Sequence, residues 1–187
     1  IGLSGMAAAL PLGVVLALGR RSHLPVIKLL SIAAIEVPRG VPLITLLFVA
    51  SAMLPLFLPA GIEFDKLLRA LIVVALFESA YIAEVVRGGL AAVPGGQSEA
   101  ARALGLNSQQ SLRYVVLPQA LRHSIPGIVN SYIGLLKDTS LVSIIGLYDL
   151  LGIANAALQD PDWISRQGGF FLELYLVVVQ LAYLLVY

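Results

Sequence analysis

Val93-Pro94-Gly95-Gly96-Gln97-Ser98-Glu99-Ala100-Ala101-Arg102-Ala103-Leu104-Gly105 is a polar interruption between apolar runs, and its reading decides how the rest of the chain is arranged. Pro94-Gly95-Gly96 breaks the chain. Ser98–Leu104 then reads as a short helix, with Ser98 as its cap, Glu99 near its positive end and Gly105 as its stop. Ser108–Leu117 reads as a second short amphipathic segment, ended by Pro118. Ala100, Ala101 and Ala103 make one face small. Two short helices without a core of their own form a knob suited to a partner's groove.

What flanks the knob is apolar. Of 187 residues, 59% are hydrophobic and 12% charged, with a mean hydropathy of +0.93, whereas a soluble domain carries about 25% charge. A formal net charge of +1 excludes a nucleic-acid partner, which needs a basic surface. The absence of cysteine removes disulfides, thiol catalysis and Cys-ligated metal. His23 and His123 stand far apart and suggest no metal site.

A spanning helix needs about 20 mostly apolar residues. About five segments approach that length: Ile1–Gly19, Leu29–Pro59, Leu71–Val86, Ser124–Gly146 and Gly169–Tyr187. The second is too long for one straight helix, and Pro38, Pro42, Pro55 and Pro59 mark it as kinked or broken. The sequence therefore predicts an all-α polytopic membrane protein. Arg20, Arg21, Lys28, Arg39, Arg87, Arg102, Arg113 and Arg122 gather on the links after the first and third spans. The positive-inside rule puts those links in the cytoplasm. The opposite side holds Glu63, Asp65, Asp149, Asp160 and Asp162, with Tyr148 and Trp163 as interfacial anchors. The start at Ile1 and the stop within an apolar run read as truncation at both ends.

Charges within the spans call for an explanation, because one at a helix centre costs about 2.5–3.5 kcal/mol on insertion scales. Lys137 and Asp138 are sequence neighbours and face different ways on a helix, unless Gly134–Ser140 is locally unwound. Lys137, Asp138, Thr139 and Ser140 either line or gate a path for a zwitterion or brace their helix against its neighbours. Glu78 faces either a partner subunit or that path. Glu36 and Arg39, and again Glu84 and Arg87, are spaced for i,i+3 pairs at cytoplasmic helix ends, where they fix helix depth or take part in gating. Glu173, in the outer part of the last segment, reads as structural.

The residues also carry a resemblance. Glu99-Ala100-Ala101, Gly105 and Leu117-Pro118 resemble the EAA loop of the membrane subunits of ABC importers. Ile35-Glu36-Val37-Pro38-Arg39-Gly40-Val41-Pro42-Leu43, Ala83-Glu84-Val85-Val86-Arg87-Gly88-Gly89 and Lys137-Asp138-Thr139-Ser140-Leu141 look like the polar amino-acid (His/Glu/Gln/Arg/opine) permease branch. Pro42–Phe48 and Leu56-Phe57-Leu58-Pro59 further resemble its general L-amino-acid type. The resemblance implies a type I importer transmembrane domain of the MetI-like fold. It implies one permease domain over residues 1–187, with a cytoplasmic coupling loop at about 87–122. The implied partners are an ABC ATPase subunit, a second permease subunit in a heterodimer, a periplasmic amino-acid-binding protein and the lipid bilayer of a bacterial inner membrane.

Carried onto this chain, the resemblance places Glu99, Ala100, Ala101 and Gly105 at the ATPase contact, with Leu117 and Pro118 returning the loop to the membrane. It implies alternating access, a non-catalytic chain, and ATP and Mg held by the partner. No lysine is followed by Ser or Thr, so a P-loop is absent from this sequence. Gly2-Leu3-Ser4-Gly5 is similar to the nucleophile motif of rhomboid proteases, but no span supplies a His base, and Gly2 and Gly5 read as helix-packing residues. An ATP-independent secondary amino-acid transporter is the alternative.

Overall fold

The computed structural model describes residues 1–57 and 64–147, with residues 152, 153, 156, 177, 178, 180 and 181. Helix α1 (Gly2–Arg20) buries Gly2, Gly5, Met6, Ala9, Gly13 and Ala17, a stripe of mostly small residues at helical spacing. That stripe lies against α5 (Lys66–Ala92), the most extensive helix pairing in the molecule. Small side chains let the two backbones approach, as membrane helix pairs require. At Gly13 a Cβ would stand 2.9 Å from the Ser79 carbonyl oxygen, so no larger residue fits without separating the helices. Gly2 and Gly5 pack as the sequence predicts, facing Leu136 and Val74.

The proline-rich second segment is broken, also as predicted. Helix α2 (Pro25–Arg39) ends before Pro42, which starts α3 (Leu43–Phe48), and the chain turns by 100° between them. A π-turn at Val49–Met53 then leads into α4 (Leu54–Phe57). Pro55 has no N–H to offer the Ser51 carbonyl. Arg69 Nη1 of α5 supplies the missing donor, at 2.7 Å from Ser51 O and 3.2 Å from Ala50 O.

After α6 (Gly95–Ala103), α7 (Ser108–Ser111), a second π-turn (Leu112–Val116), α8 (Leu117–Asp138) and a 3₁₀ segment (Thr139–Ile145) join without a break into one 38-residue helical run. This corrects the reading of Pro118 as a terminator. Proline lies in the first turn of α8, where little is lost by its missing N–H, and the π-turn just before it absorbs the ring. Gln119 Nε2 donates to the Val115 carbonyl at 2.9 Å. Of the two alternatives for Lys137 and Asp138, the structure shows the helical one: α8 stays α-helical through Gly134 to Asp138 and narrows to a 3₁₀ helix only from Thr139.

The expected five spans are not all seen. Among the described residues two helical runs, Gly2–Arg20 and Ser108–Ile145, are long and apolar enough to cross a membrane, and a third is added if the bent pair Pro25–Arg39 and Leu43–Phe57 counts as one. The α5 helix has the length but carries Lys66, Arg69, Glu78, Glu84 and Arg87. It is the central helix among the described residues, contributing Val74, Ile82 and Val86 to a core shared with Ile35, Leu47 and Leu135. The segment expected at 169–187, Glu173 included, lies almost wholly outside the described residues, as do Glu63, Tyr148, Asp149, Asp160, Asp162 and Trp163. Outward-facing Leu3, Val15, Leu29, Leu30 and Ile125 are exposed, as lipid contact requires.

Candidate functional site

Three groups of residues stand out, and one helical run connects two of them. At the knob, α6 begins at Gly95 after Pro94, three residues earlier than the sequence suggests. Ser98 is therefore no cap, and its Oγ donates to the Gly95 carbonyl at 2.8 Å. Glu99 sits mid-helix, exposed, beside exposed Ala100 and Ala103. Ala101 turns inward and is 3% exposed.

The end of α6 is locked. Gly105 adopts φ +85, a conformation that suits glycine and strains other residues. Its N–H reaches Arg102 O at 2.9 Å and the Leu106 N–H reaches Ala101 O at 3.1 Å, the paired bonds of a Schellman closure. Two residues on, Asn107 and Gln110 form a reciprocal capping box at 2.9 Å each way. Within the Schellman closure Leu104 projects, 84% exposed. Sequence reading missed Asn107 and Leu104; the Asn-x-x-Gln spacing and an apolar residue directly before a helix-ending glycine were the available signals. Leu117 is half-buried and Pro118 exposed, both within the continuing helix.

The second group ties helix ends together. Glu36 and Arg39 lie 3.9 Å apart and Glu84 and Arg87 2.8 Å apart, each within its own helix. Arg20 joins them, with Nη1 2.9 Å from Glu36 Oε1 and 2.8 Å from Glu84 Oε1. Arg39 also approaches Glu84 at 3.9 Å, and its guanidinium lies 5.5 Å from the Tyr81 ring centroid. Three arginines on two carboxylates thus clamp α1, α2 and α5. Nothing in local spacing links Arg20 to positions 36 and 84, so the sequence reading treated it only as a topological charge.

The third group lies between α5 and α8. Glu78 and Asp138 meet at a cavity of about 230 Å³, together with Phe77, Tyr81, Ser131, Gly134 and Leu135. Glu78 is 5% exposed, and its Oε1 has no hydrogen-bond partner among the described residues. Of the Lys137–Ser140 motif, only Asp138 lines this cavity. Lys137 is exposed. The Thr139 and Ser140 hydroxyls donate to Leu136 O at 2.6 Å and Lys137 O at 2.8 Å, bonds within their own helix. Two carboxylates beside an aromatic ring in a cleft between α5 and α8 can accept an ammonium group. Among the described residues no group of three or more His, Cys, Asp or Glu side chains is gathered for a metal ion.

The α5–α8 seam that frames this cavity is tight. A Cβ at Gly89 would collide with Ser124 Oγ and the Ala120 carbonyl, and one at Gly127 would meet Val85. Ser124 Oγ spans the seam, 2.8 Å from Ala120 O and 3.3 Å from Val85 O.

Comparison with known proteins follows the same lines. Residues 9–187 match the family model described as "Binding-protein-dependent transport system inner membrane component". The chain is 56% identical over 172 residues to the inner membrane amino-acid ABC transporter permease protein YhdY of Escherichia coli, covering 91% of this chain and 47% of that protein. It is 54% identical over 185 residues to the glutamate/glutamine/aspartate/asparagine transport system permease protein BztC of Rhodobacter capsulatus, covering 98% of this chain and 42% of that protein. The chain thus spans under half the length of these two relatives. Among solved structures, an amino acid ABC transporter with histidines superposes with a TM-score of 0.75 at 30% identity, over 99% of this chain and 87% of that one. An inward-facing methionine ABC transporter shares the fold, with a TM-score of 0.65 over 98% of this chain and 83% of that one, at 24% identity.

Proposed function

The chain belongs to the family of binding-protein-dependent transport system inner membrane components, the ABC transporter permeases of the MetI-like fold, and from that membership and the geometry above we propose that it serves an ATP-driven amino-acid importer of a bacterial inner membrane. In this reading α6 and its locked turn dock on an ABC ATPase subunit, with Leu104 as the apolar anchor and Glu99 and Ala100 at the contact. A second permease subunit completes a heterodimeric path, and a periplasmic binding protein delivers the amino acid. The α5 helix and the segment at 169–187 complete five spans. The likeness to general L-amino-acid permeases supports a cargo of that class. The cavity between Glu78 and Asp138 receives the cargo's ammonium group.

One observation carries this reading: the helical run Ser108–Ile145 begins at the locked turn beside α6 and brings Asp138 to the cavity. At about 1.5 Å per residue, the part from Ser108 to Asp138 is about 45 Å long. A rigid rod of that length transmits a push on the loop to the cavity as rigid-body rocking, which alternating access requires. The Schellman closure and capping box prevent the push from being lost in a flexible joint.

The test is to tag the full-length protein in its native membrane, solubilise it gently and identify the subunits that co-purify. Recovery of a P-loop ATPase and a second EAA-bearing permease supports the importer reading. A protein that emerges alone, where a control ABC complex stays intact, contradicts it. That result would favour an ATP-independent secondary transporter, the second reading, for which Glu78, with its Oε1 unpartnered among the described residues, would be the coupling group.

A further inference from the structure

Behind the knob lies a cavity of about 370 Å³ that the import reading does not use. Its wall joins the link after α1 to α6 and to the start of α7, and includes Arg21, His23, Gly95, Arg102, Ser108 and Ser111. Two guanidiniums and an imidazole line it, and no carboxylate does. Gly95 brings the N-terminal turn of α6, where backbone N–H groups lack helical partners.

Ser111 is the independent observation. A serine inside a helix commonly spends its hydroxyl on a carbonyl of the preceding turn. Ser79, Ser98, Ser124, Ser140 and Ser143 all do so here, at 2.7–2.8 Å. Ser111 is 3% exposed, lines the cavity, and has no hydrogen-bond partner for its Oγ among the described residues. A buried hydroxyl left unmatched beside two arginines is a cost that an incoming oxyanion removes.

We propose that this cavity binds a phosphate group, held by Arg21 and Arg102 with hydrogen bonds from Ser108, Ser111 and the N-terminal turn of α6. Guanidiniums match the tetrahedral oxyanion with paired N–H donors. Arg21 directly follows α1, at the end that charge bias puts on the cytoplasmic membrane face. The phosphate is therefore either the headgroup of an anionic lipid or a free phosphate from solution. In either form it links the end of α1 to the knob and stiffens the joint on which coupling depends.

The test uses the full-length permease purified with the subunits it carries, in phosphatidylcholine nanodiscs. One arm titrates inorganic phosphate and pyrophosphate by calorimetry. The other adds phosphatidylglycerol to the discs and measures lipid retained per permease by native mass spectrometry. Arg21→Gln and the milder Ser111→Ala are compared with the unaltered protein. Saturable binding in either arm, weakened about tenfold by Arg21→Gln and measurably by Ser111→Ala, supports the site and identifies the source. No binding in both arms overturns it, and so does binding that both substitutions leave unchanged.

Discussion

Glu78 and Glu84 lie on the same helix, six residues apart, and are treated in opposite ways. Glu84 is approached by three guanidiniums, those of Arg20 and Arg87 at 2.8 Å and of Arg39 at 3.9 Å. Glu78 is more deeply buried and faces a cavity with one oxygen unpartnered. A saturated carboxylate holds structure, since all its bonding capacity goes to fixing neighbours. A carboxylate kept unsaturated within a membrane helix costs stability and persists where something transient satisfies it. The pair therefore separates the clamp that assembles α1, α2 and α5 from the cleft proposed above to take cargo.

Breaking the clamp is predicted to have the largest effect. Arg20→Met removes two short charge-assisted bonds, the part-buried one to Glu84 worth about 1.5–3 kcal/mol and the exposed one to Glu36 about 1 kcal/mol or less, and leaves Glu84 with fewer partners. The expected outcome is a severe drop in membrane-integrated protein, read by quantitative immunoblotting of washed membranes; a normal level contradicts the clamp. Glu78→Gln separates the two carboxylates in the other direction. Protein level and assembly stay at the unaltered value, while amino-acid uptake into proteoliposomes falls about tenfold, as expected when a charge-assisted contact to the cargo is lost. If Glu78→Gln instead lowers protein level as Arg20→Met does, the contrast between the two glutamates is lost.

Smaller effects sharpen the same division. Gly105→Val forces a β-branched residue into a left-handed conformation, at about 1–2 kcal/mol, and loosens the locked turn. The variant is expected to remain in the membrane, and complexes that contain it to keep the partner's ATP hydrolysis while uptake falls severalfold, measured in the same proteoliposomes. Lys137→Met is predicted to change uptake least, because Lys137 does not line the cavity that Asp138 helps form. Uptake as low as that of Glu78→Gln would return Lys137 to the path.

The parts of this arrangement that were legible in the sequence are those written within one element. Pro38 and Pro42 announced the break that turns the chain by 100°, Gly105 announced the helix stop that the structure makes with a positive φ, and the i,i+3 spacings announced the pairs Glu36–Arg39 and Glu84–Arg87. What was not legible depends on packing between elements. Arg20 bridges positions 16 and 64 residues away. Asp138 meets Glu78 only because Gly89 and Gly127 let α8 close on α5. Pro118 misled for a different reason: proline ends an ideal helix, but a π-turn just before it lets the helix continue.

If the knob transmits force from an ATPase, exposed Leu104 touches that subunit. A photo-cross-linking residue placed at position 104 of the full-length protein, activated in native membranes, captures whatever protein touches that exposed apex, and mass spectrometry identifies it. A P-loop ATPase subunit is the expected captured protein. Capture of only non-ATPase proteins, or of none, while the protein remains integrated in the membrane, would contradict it.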